Sequence, residues 1–309
     1  MRFKRGFYFG DWRKYVSMNV MRPTKWIIKR ALGEKGLKYV RRFLYGKYLD
    51  VERHRLIFEG KRAIEIGGPS KIFGDAGNLP VYTLLQHVDN CLFSNSTIWT
   101  GDVQNGCTYY YQDGKAPGTQ FVCEGGSLEG IPASSYDLVL SSHCLEHMAN
   151  PLQALQGWKR VLKTGGCILL VLPHKDGTFD WKRPVTPVAH LIQDYEQNMG
   201  EDDLTHLPEI LALHDMNRDE AAGSKEQFEQ RCLNNARFRG MHHHVFTTRS
   251  VVEMMDRADF QLLEVGAFKP HNIVVLAAKP LQHVDNSIHL FPGAKFIKRS
   301  PFPSDHAAS

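Results

Sequence analysis

Hydrophobic and polar positions fall into a regular pattern over residues 136–172. Asp137–Ser141 reads as a strand. A polar turn follows, then a helix whose apolar stripe is Leu152, Leu155, Trp158, Val161 and Leu162. Pro151 opens this helix where its missing N–H costs nothing, and Gly165 and Gly166 stop it. Cys167–Leu172 is a continuous apolar run, as expected of a central parallel strand covered on both faces. Upstream, Ala63–Ile66 is a short strand ending in Gly67 and Gly68. Downstream, Thr248–Ala258 reads as a helix, and Phe260–Val265 and Asn272–Ala278 as strands.

The intervening segments are less regular. Residues 75–122 carry Gly, Asn and Pro turn signals with short apolar pieces such as Val81–Leu85 and Gly118–Val122, and the second and third core strands are expected there. Residues 174–240 are polar and rich in His and Asp. Helical stripes at Val188, Leu191, Ile192, Tyr195 and Met199, and at Leu204, Leu207, Ile210 and Leu211, predict a helical insertion or lid at about 175–240. The string L-Q-H-V-D-N occurs at Leu85–Asn90 and Leu281–Asn286, too short for a repeat architecture.

Strand-helix alternation closing with two strands predicts an α/β fold, a seven-stranded, mostly parallel sheet with one antiparallel strand. The domain is expected over 58–280, after a basic N-terminal extension at 1–57 and before a tail at 281–309. Residues 1–50 hold 14 Lys and Arg against Asp11, Glu34 and Asp50, a net of +11, whereas the whole chain of 309 residues is only +5. Phe7, Tyr8, Phe9, Trp12, Tyr15 and Trp26 are interleaved with these charges. Such a segment suits peripheral contact with an anionic membrane, a nucleic-acid backbone, or packing as an arm on the body. Six cysteines without a C-x-x-C pair, no secretory signal and no apolar run long enough to span a bilayer point to a reduced, cytoplasmic protein, with membrane association through the basic arm as an option.

The segments K-R-A-I-E-I-G-G-P-S-K-I-F-G (61–74) and Y-D-L-V-L-S-S-H-C-L-E-H (136–147), with the helix and strand that follow the second, resemble the class I S-adenosylmethionine-dependent methyltransferases of the type 11 group. The resemblance implies a Rossmann-like fold and S-adenosylmethionine as cofactor. It places Glu65, Gly67 and Gly68 at the cofactor turn, with Glu65 balancing the ligand's ammonium or ordering the turn. A following helix N-terminus would receive the ligand's carboxylate. Pro69 and Lys71 stand where the family usually has further glycines. The ribose-binding acid is expected at Asp89. Glu124, Gly125 and Ser127 would flank the adenine, and Ser142, at the end of the fourth strand, would also bind the cofactor.

Methyl transfer to a hydroxyl needs in-line geometry and a base. Nine of the fifteen histidines lie between residues 143 and 244. His174, after the fifth strand, is the first candidate base, with Asp176 and Asp180 near enough in sequence to orient it; His143, after the fourth strand, is the second. His147 matches the family in a supporting place. Trp181, Lys182 and Arg183 suit a sugar or phosphorylated sugar, and His243 and His244 stand where relatives often place a substrate His. The runs around H-K-D-G-T-F-D and E-D-D-L-T-H-L are similar to methyltransferase-like proteins of surface-polysaccharide synthesis, so the expected acceptor is a small-molecule or glycan hydroxyl. The alternatives are a binding protein without activity, or a methyltransferase acting on lipid or nucleic acid. Nucleic acid is disfavoured because Ser141-Ser142-His143-Cys144 replaces the amino-methylating motif. His190, His206, His214, Asp215 and His242–His244 permit a metal site, but their spacing matches no zinc signature, and no metal is expected.

Overall fold

The computed structural model describes residues 48–97, 101–219 and 221–307. The arm expected to meet an anionic surface falls almost entirely on residues 1–47, outside the described residues. A helix α1 (Arg55–Phe58) leads into strand β1 (Arg62–Ile66). There follow β2 (His87–Leu92), the short β3 (Ser96–Thr97) and β4 (Gly101–Asp102), β5 (Gly106–Tyr109), β6 (Gly118–Val122) and β7 (Tyr136–Ser142). Helix α2 (Pro151–Val161) and β8 (Leu162–Pro173) come next. The insertion contains α3 (Val188–Glu196), α4 (Leu207–Leu213), α5 (Lys225–Leu233) and α6 (Asn235–Phe238). Helix α7 (Thr248–Arg257), β9 (Gln261–Phe268), β10 (Asn272–Ala278), α8 (Ser287–Leu290) and α9 (Lys295–Arg299) complete the chain.

Among the described residues the main sheet has eight strands in the order β5-β6-β2-β1-β7-β8-β10-β9, one more than the seven expected. The five strands from β6 to β8 are parallel, and β10 runs antiparallel to both β8 and β9. The additional strand is β5, which pairs antiparallel with the edge of β6. The second core strand is His87–Leu92, so the apolar piece Val81–Leu85 is a buried turn instead; Gly118–Val122 forms β6 as a strand.

Alternation along the strands divides the core into two faces. Ile64, Ile66, Val139, Ile168 and Leu170 pack under α2, α7 and α9 with Trp158, Met254 and Phe296. Ala63, Leu138, Leu140, Leu169 and Val171 pack on the other face with Phe58, Phe73, Tyr82 and Tyr109. Each buried large apolar side chain contributes on the order of 1.5–3 kcal/mol. Tyr48, Leu49 and Val51 belong to this second core, so the folded body begins before residue 58. Helix α2 opens at Pro151 as its sequence predicts, and Asn150 caps it by accepting from Gln153 N at 3.0 Å. The tail is built into the body. Phe302 is fully buried, and Asp305 accepts from Thr248 N (2.9 Å) and Thr248 Oγ1 (2.6 Å) at the start of α7.

Candidate active site

The chain crosses the sheet between β6 and β7, so the strand order reverses between β1 and β7. Ligands of doubly wound sheets bind at the carboxyl ends of the strands flanking such a point. Gly67 lies there with φ +83°, and a Cβ on it would come within 3.2 Å of Cys144 Sγ. Gly125 lies beside it, where a Cβ would meet Ile66 Cγ2 and Met148 Cε at 3.3 Å. Its carbonyl accepts from Trp158 Nε1 at 2.7 Å. The bare backbone at residues 67 and 125 lets the end of β1 and the turn after β6 pack closely around the switch point, where larger side chains would press on Cys144, Ile66 and Met148, and this glycine-lined cradle is where the cofactor's nucleoside would lie. Ser142 ends β7, half-buried, and Ser127 is an exposed residue of the turn that contains Gly125, between β6 and β7. Burial pushes the Cys144 thiol well above its ordinary range.

The first acid takes the turn-ordering role. Glu65 is fully buried and accepts from Tyr82 Oη (2.5 Å), Tyr109 Oη and Ser70 N (3.1 Å). Burial raises its pKa despite these donors. Gly68 has no room for a side chain because Glu65 and Tyr109 fill the space, and its N–H donates to Asn90 Oδ1 at 3.0 Å. No helix follows this turn: residues 71–84 make successive turns, with Gly74, Gly77 and Pro80 among them. The helix N-terminus expected to receive a carboxylate is therefore missing.

Asp89 is also corrected. It sits inside β2, fully buried, and accepts from Arg62 Nη2 (2.9 Å), Tyr136 Oη (2.8 Å) and Thr119 N (2.7 Å), with His87 Nε2 at 2.8 Å. These donors consume both oxygens, outweigh the cost of burial and lower its pKa. Glu124 does reach the rim, where Arg239 of the insertion pairs with it at 2.8 Å and with Glu201 at 2.9 Å. The same guanidinium lies 5.0 Å from the centre of the Phe93 ring, so Arg239 ties the insertion across the mouth of the cradle. Sequence reading missed Arg239, since a lone Arg in a polar segment carries no signal.

The first candidate base is displaced from the site. His174 is fully buried, stacked on Phe302 with centroids 4.1 Å apart. Its Nδ1 accepts from Asp176 N at 3.2 Å, which leaves the proton on Nε2, 3.2 Å from Asp305 Oδ1. Neither nitrogen can serve an acceptor. Asp176 does not orient it through its carboxylate, which instead accepts from Ser304 N and Oγ at 2.8 and 2.5 Å. Arg183 is likewise buried, donating to Asp180 (2.9 Å), Glu209 (2.7 Å) and the His242 carbonyl (2.8 Å), and is no substrate ligand. His243 and His244 are buried as well and do not line an open mouth.

A different constellation forms at the end of β7. His143 adopts φ +53°, with its side chain 32% exposed. Its Nε2 meets Asn272 Oδ1 at 2.8 Å, and Asn272 Nδ2 in turn donates to Tyr48 Oη at 2.9 Å. The amide orientation thus places the His143 proton on Nε2 and the lone pair on Nδ1. That Nδ1 faces Glu146 Oε1 at 3.8 Å. Glu146 is fully buried, neither oxygen has a hydrogen-bond partner among the described residues, and burial raises its pKa. Asp180 orients a histidine, but it is His242, at 2.6 Å from Nδ1. Burial would raise the Asp180 carboxyl; His242 and Arg183 outweigh it and hold it at about 2. Burial opposes protonation of His242, yet Asp180 raises its pKa on balance. Burial holds His271 at about 3 and His147 well below its ordinary value, so both are neutral neighbours. Trp181 is exposed nearby in sequence, with Lys182 Nζ and the Arg218 guanidinium over its ring at 5.3 and 4.9 Å. Among the described residues two groups of metal-type donors approach within 4.8 Å of one another: Glu146 with His147 and His242, and His190 with His206 and His244.

A doubly wound sheet with a glycine cradle at its switch point and a polar, histidine-lined wall beside it is the frame of a Rossmann-like transferase. Residues 41–265 match the family described as a methyltransferase domain, and the chain belongs to that family, the S-adenosylmethionine-dependent methyltransferases of class I. It is accordingly an enzyme with S-adenosylmethionine as cofactor. Solved structures similar to it include a methyltransferase of this type from Aquifex aeolicus (13% identity, 79% of this chain and 96% of that one, TM-score 0.38). Another is from Methanosarcina mazei (15%, 76% and 100%, TM-score 0.42). A third is the 1,6-didemethyltoxoflavin-N1-methyltransferase of Burkholderia thailandensis with its substrate and S-adenosylhomocysteine (10%, 85% and 85%, TM-score 0.39). No curated protein matches the chain in sequence. No described helix is long and apolar enough to cross a membrane.

Proposed function

We propose that this methyltransferase acts on a hydroxyl of a polar small molecule or glycan, with His143 as general base. S-adenosylmethionine supplies the electrophilic methyl group when bound. The observation that carries the reading is the setting of His143: the one partly exposed imidazole at the end of β7 whose Nδ1 lone pair is fixed by the Asn272 contact. Glu146 Oε1, 3.8 Å from the same Nδ1, leaves room beside it for a hydroxyl and stabilises the imidazolium formed when Nδ1 takes the hydroxyl proton. The exposed Trp181, with two cations on its ring, suits the apolar face of a sugar and an attached phosphate.

The test is release of S-adenosylhomocysteine from a panel of glycosides and nucleotide sugars. His143→Ala is expected to reduce turnover roughly 10²–10⁴-fold. Calorimetric affinity for S-adenosylmethionine should stay within about threefold of wild type, because His143 lies on the acceptor side. Unchanged turnover with the active acceptor removes His143 from this role.

A further inference from the structure

We propose that His190, Asp194, His206 and His244 bind a divalent transition-metal ion of the Zn²⁺ type, in a closed site that pins the insertion to the body of the enzyme. His190 and Asp194 are four residues apart on α3, so both side chains leave the same face of the helix. His206 stands at the start of α4, and His244 in the segment leading to α7.

Their donor atoms converge. His190 Nε2 lies 3.0 Å from His206 Nε2 and 3.4 Å from Asp194 Oδ2. His244 Nε2 lies 3.8 Å from the same carboxylate oxygen and donates to the Ala149 carbonyl at 3.2 Å, so Nδ1, which has no hydrogen-bond partner among the described residues, is the nitrogen left to bind an ion. All three imidazoles offer a nitrogen within 4.8 Å of the others. A tetrahedral ion with bonds of about 2.0–2.1 Å sets its ligand atoms roughly 3.3 Å apart, close to the 3.0 and 3.4 Å that separate His190 Nε2 from His206 Nε2 and Asp194 Oδ2, with His244 drawn in as the ion binds. The rings of His190 and His244 each stand edge-on to that of His206, at 4.9 and 5.4 Å.

Without a cation this arrangement is expensive. Asp194 is 3% exposed and His244 1% exposed, yet Asp194 Oδ2 and His244 Nδ1 have no hydrogen-bond partner among the described residues. A buried polar atom left unpaired costs about 1–3 kcal/mol, and more for a charged one. Two nitrogens 3.0 Å apart can share a single proton, which leaves the carboxylate unserved. A cation among the four satisfies the carboxylate and the lone pairs together. Three nitrogens and one oxygen suit a borderline ion such as Zn²⁺ and disfavour Mg²⁺ or Ca²⁺, which take all-oxygen shells. The ligand spacing of 4, 12 and 38 residues matches no sequence signature, so only the fold brings the four together.

The test uses the full chain without a polyhistidine tag. The protein is stripped with a chelator and reloaded with Zn²⁺ or Co²⁺. Elemental analysis should find about one ion per chain, and Co²⁺ should give the intense visible bands of tetrahedral coordination. His206→Gln, at a half-buried position, should weaken Zn²⁺ binding roughly 100-fold or more while circular dichroism stays that of the wild type. The wild-type Co²⁺ spectrum decides the matter even if that variant does not fold. Absence of stoichiometric metal after reloading overturns the proposal. So does an octahedral Co²⁺ spectrum, or metal that survives His206→Gln and is lost in His242→Gln, which would place it with Glu146 and His147 instead.

Discussion

Replacing His174 separates a catalytic histidine from a structural one, and its neighbours fix what to expect. The Asp305 carboxylate, 2% exposed, accepts from Thr248 N and Oγ1 and from Ser300 Oγ at 2.9, 2.6 and 2.5 Å, and faces His174 Nε2 at 3.2 Å. Burial would raise its pKa, but His174, Ser300 and Thr248 together lower it. Asp305→Asn keeps the shape and one acceptor while removing the charge. Breaking one side of such a buried network costs about 3–5 kcal/mol. At about 2–4 °C per kcal/mol for a chain approaching this size, Tm should fall by roughly 6–20 °C. His174→Gln loses the ring stacked on Phe302 and the Asp305 contact, and should cost about 2–3 kcal/mol. The double variant should cost less than the sum by at least about 1 kcal/mol, because the two residues share one contact.

The pH dependence has a definite sign. Asp305 has a folded pKa below its unfolded value, so its contribution is complete above about pH 3.9 and is lost as pH falls through the folded value. The difference in urea midpoint between wild type and Asp305→Asn should therefore be constant near neutrality and shrink below about pH 4. Urea titrations from neutral to acid pH, alongside turnover below the melting range, give both readouts. If His174→Gln retains wild-type Tm yet loses turnover by about 100-fold or more, His174 is the base after all and the structural assignment is refuted.

Gly67→Ala places a methyl group 3.2 Å from Cys144 Sγ at φ +83°, and should cost about 1–2 kcal/mol of stability together with a measurable loss of S-adenosylmethionine affinity by calorimetry. Asp89→Asn should cost about 2–4 kcal/mol in urea unfolding, since Arg62, Tyr136 and Thr119 lose their shared charge. Its cofactor affinity should remain within about threefold of wild type in the folded fraction, and a larger loss would return Asp89 to the ribose.

The parts of this enzyme that were legible in the sequence are those decided locally. The stripe on α2 from Leu152 to Val161, its Pro151 start and the apolar run of β8 carry their periodicity in consecutive residues, and the structure reproduces each, whereas Leu162, Gly165 and Gly166 belong to β8 and do not end the helix. The hexapeptide L-Q-H-V-D-N shows where local reading ends. At 85–90 it enters β2, with Asp89 and Asn90 buried; at 281–286 it forms an exposed bend closed by Asn286 against Gln261 and Leu262. Identical residues thus take opposite structures, because pairing with β1 and β6 exists for only one copy.

The histidines follow the same logic more sharply. Chain order put His174 at the carboxyl end of a core strand, where a base belongs, and no local feature revealed that Phe302 and Asp305, about 130 residues away, would cover it. Asp180 was recognised as an orienting carboxylate, but its partner is His242, which the insertion returns to the site from 62 residues downstream. A carboxylate and an imidazole at contact distance exchange far more energy than any preference written in their flanking residues, so the partner is chosen by the path of the insertion. That path also joins Arg239 to Glu124, and closes the cradle with residues that no motif marks. On the proposed function, acceptor choice should therefore follow the insertion, whereas cofactor affinity should follow the sheet. Exchanges confined to residues 175–240 are the changes that should redirect the acceptor while leaving the cradle intact.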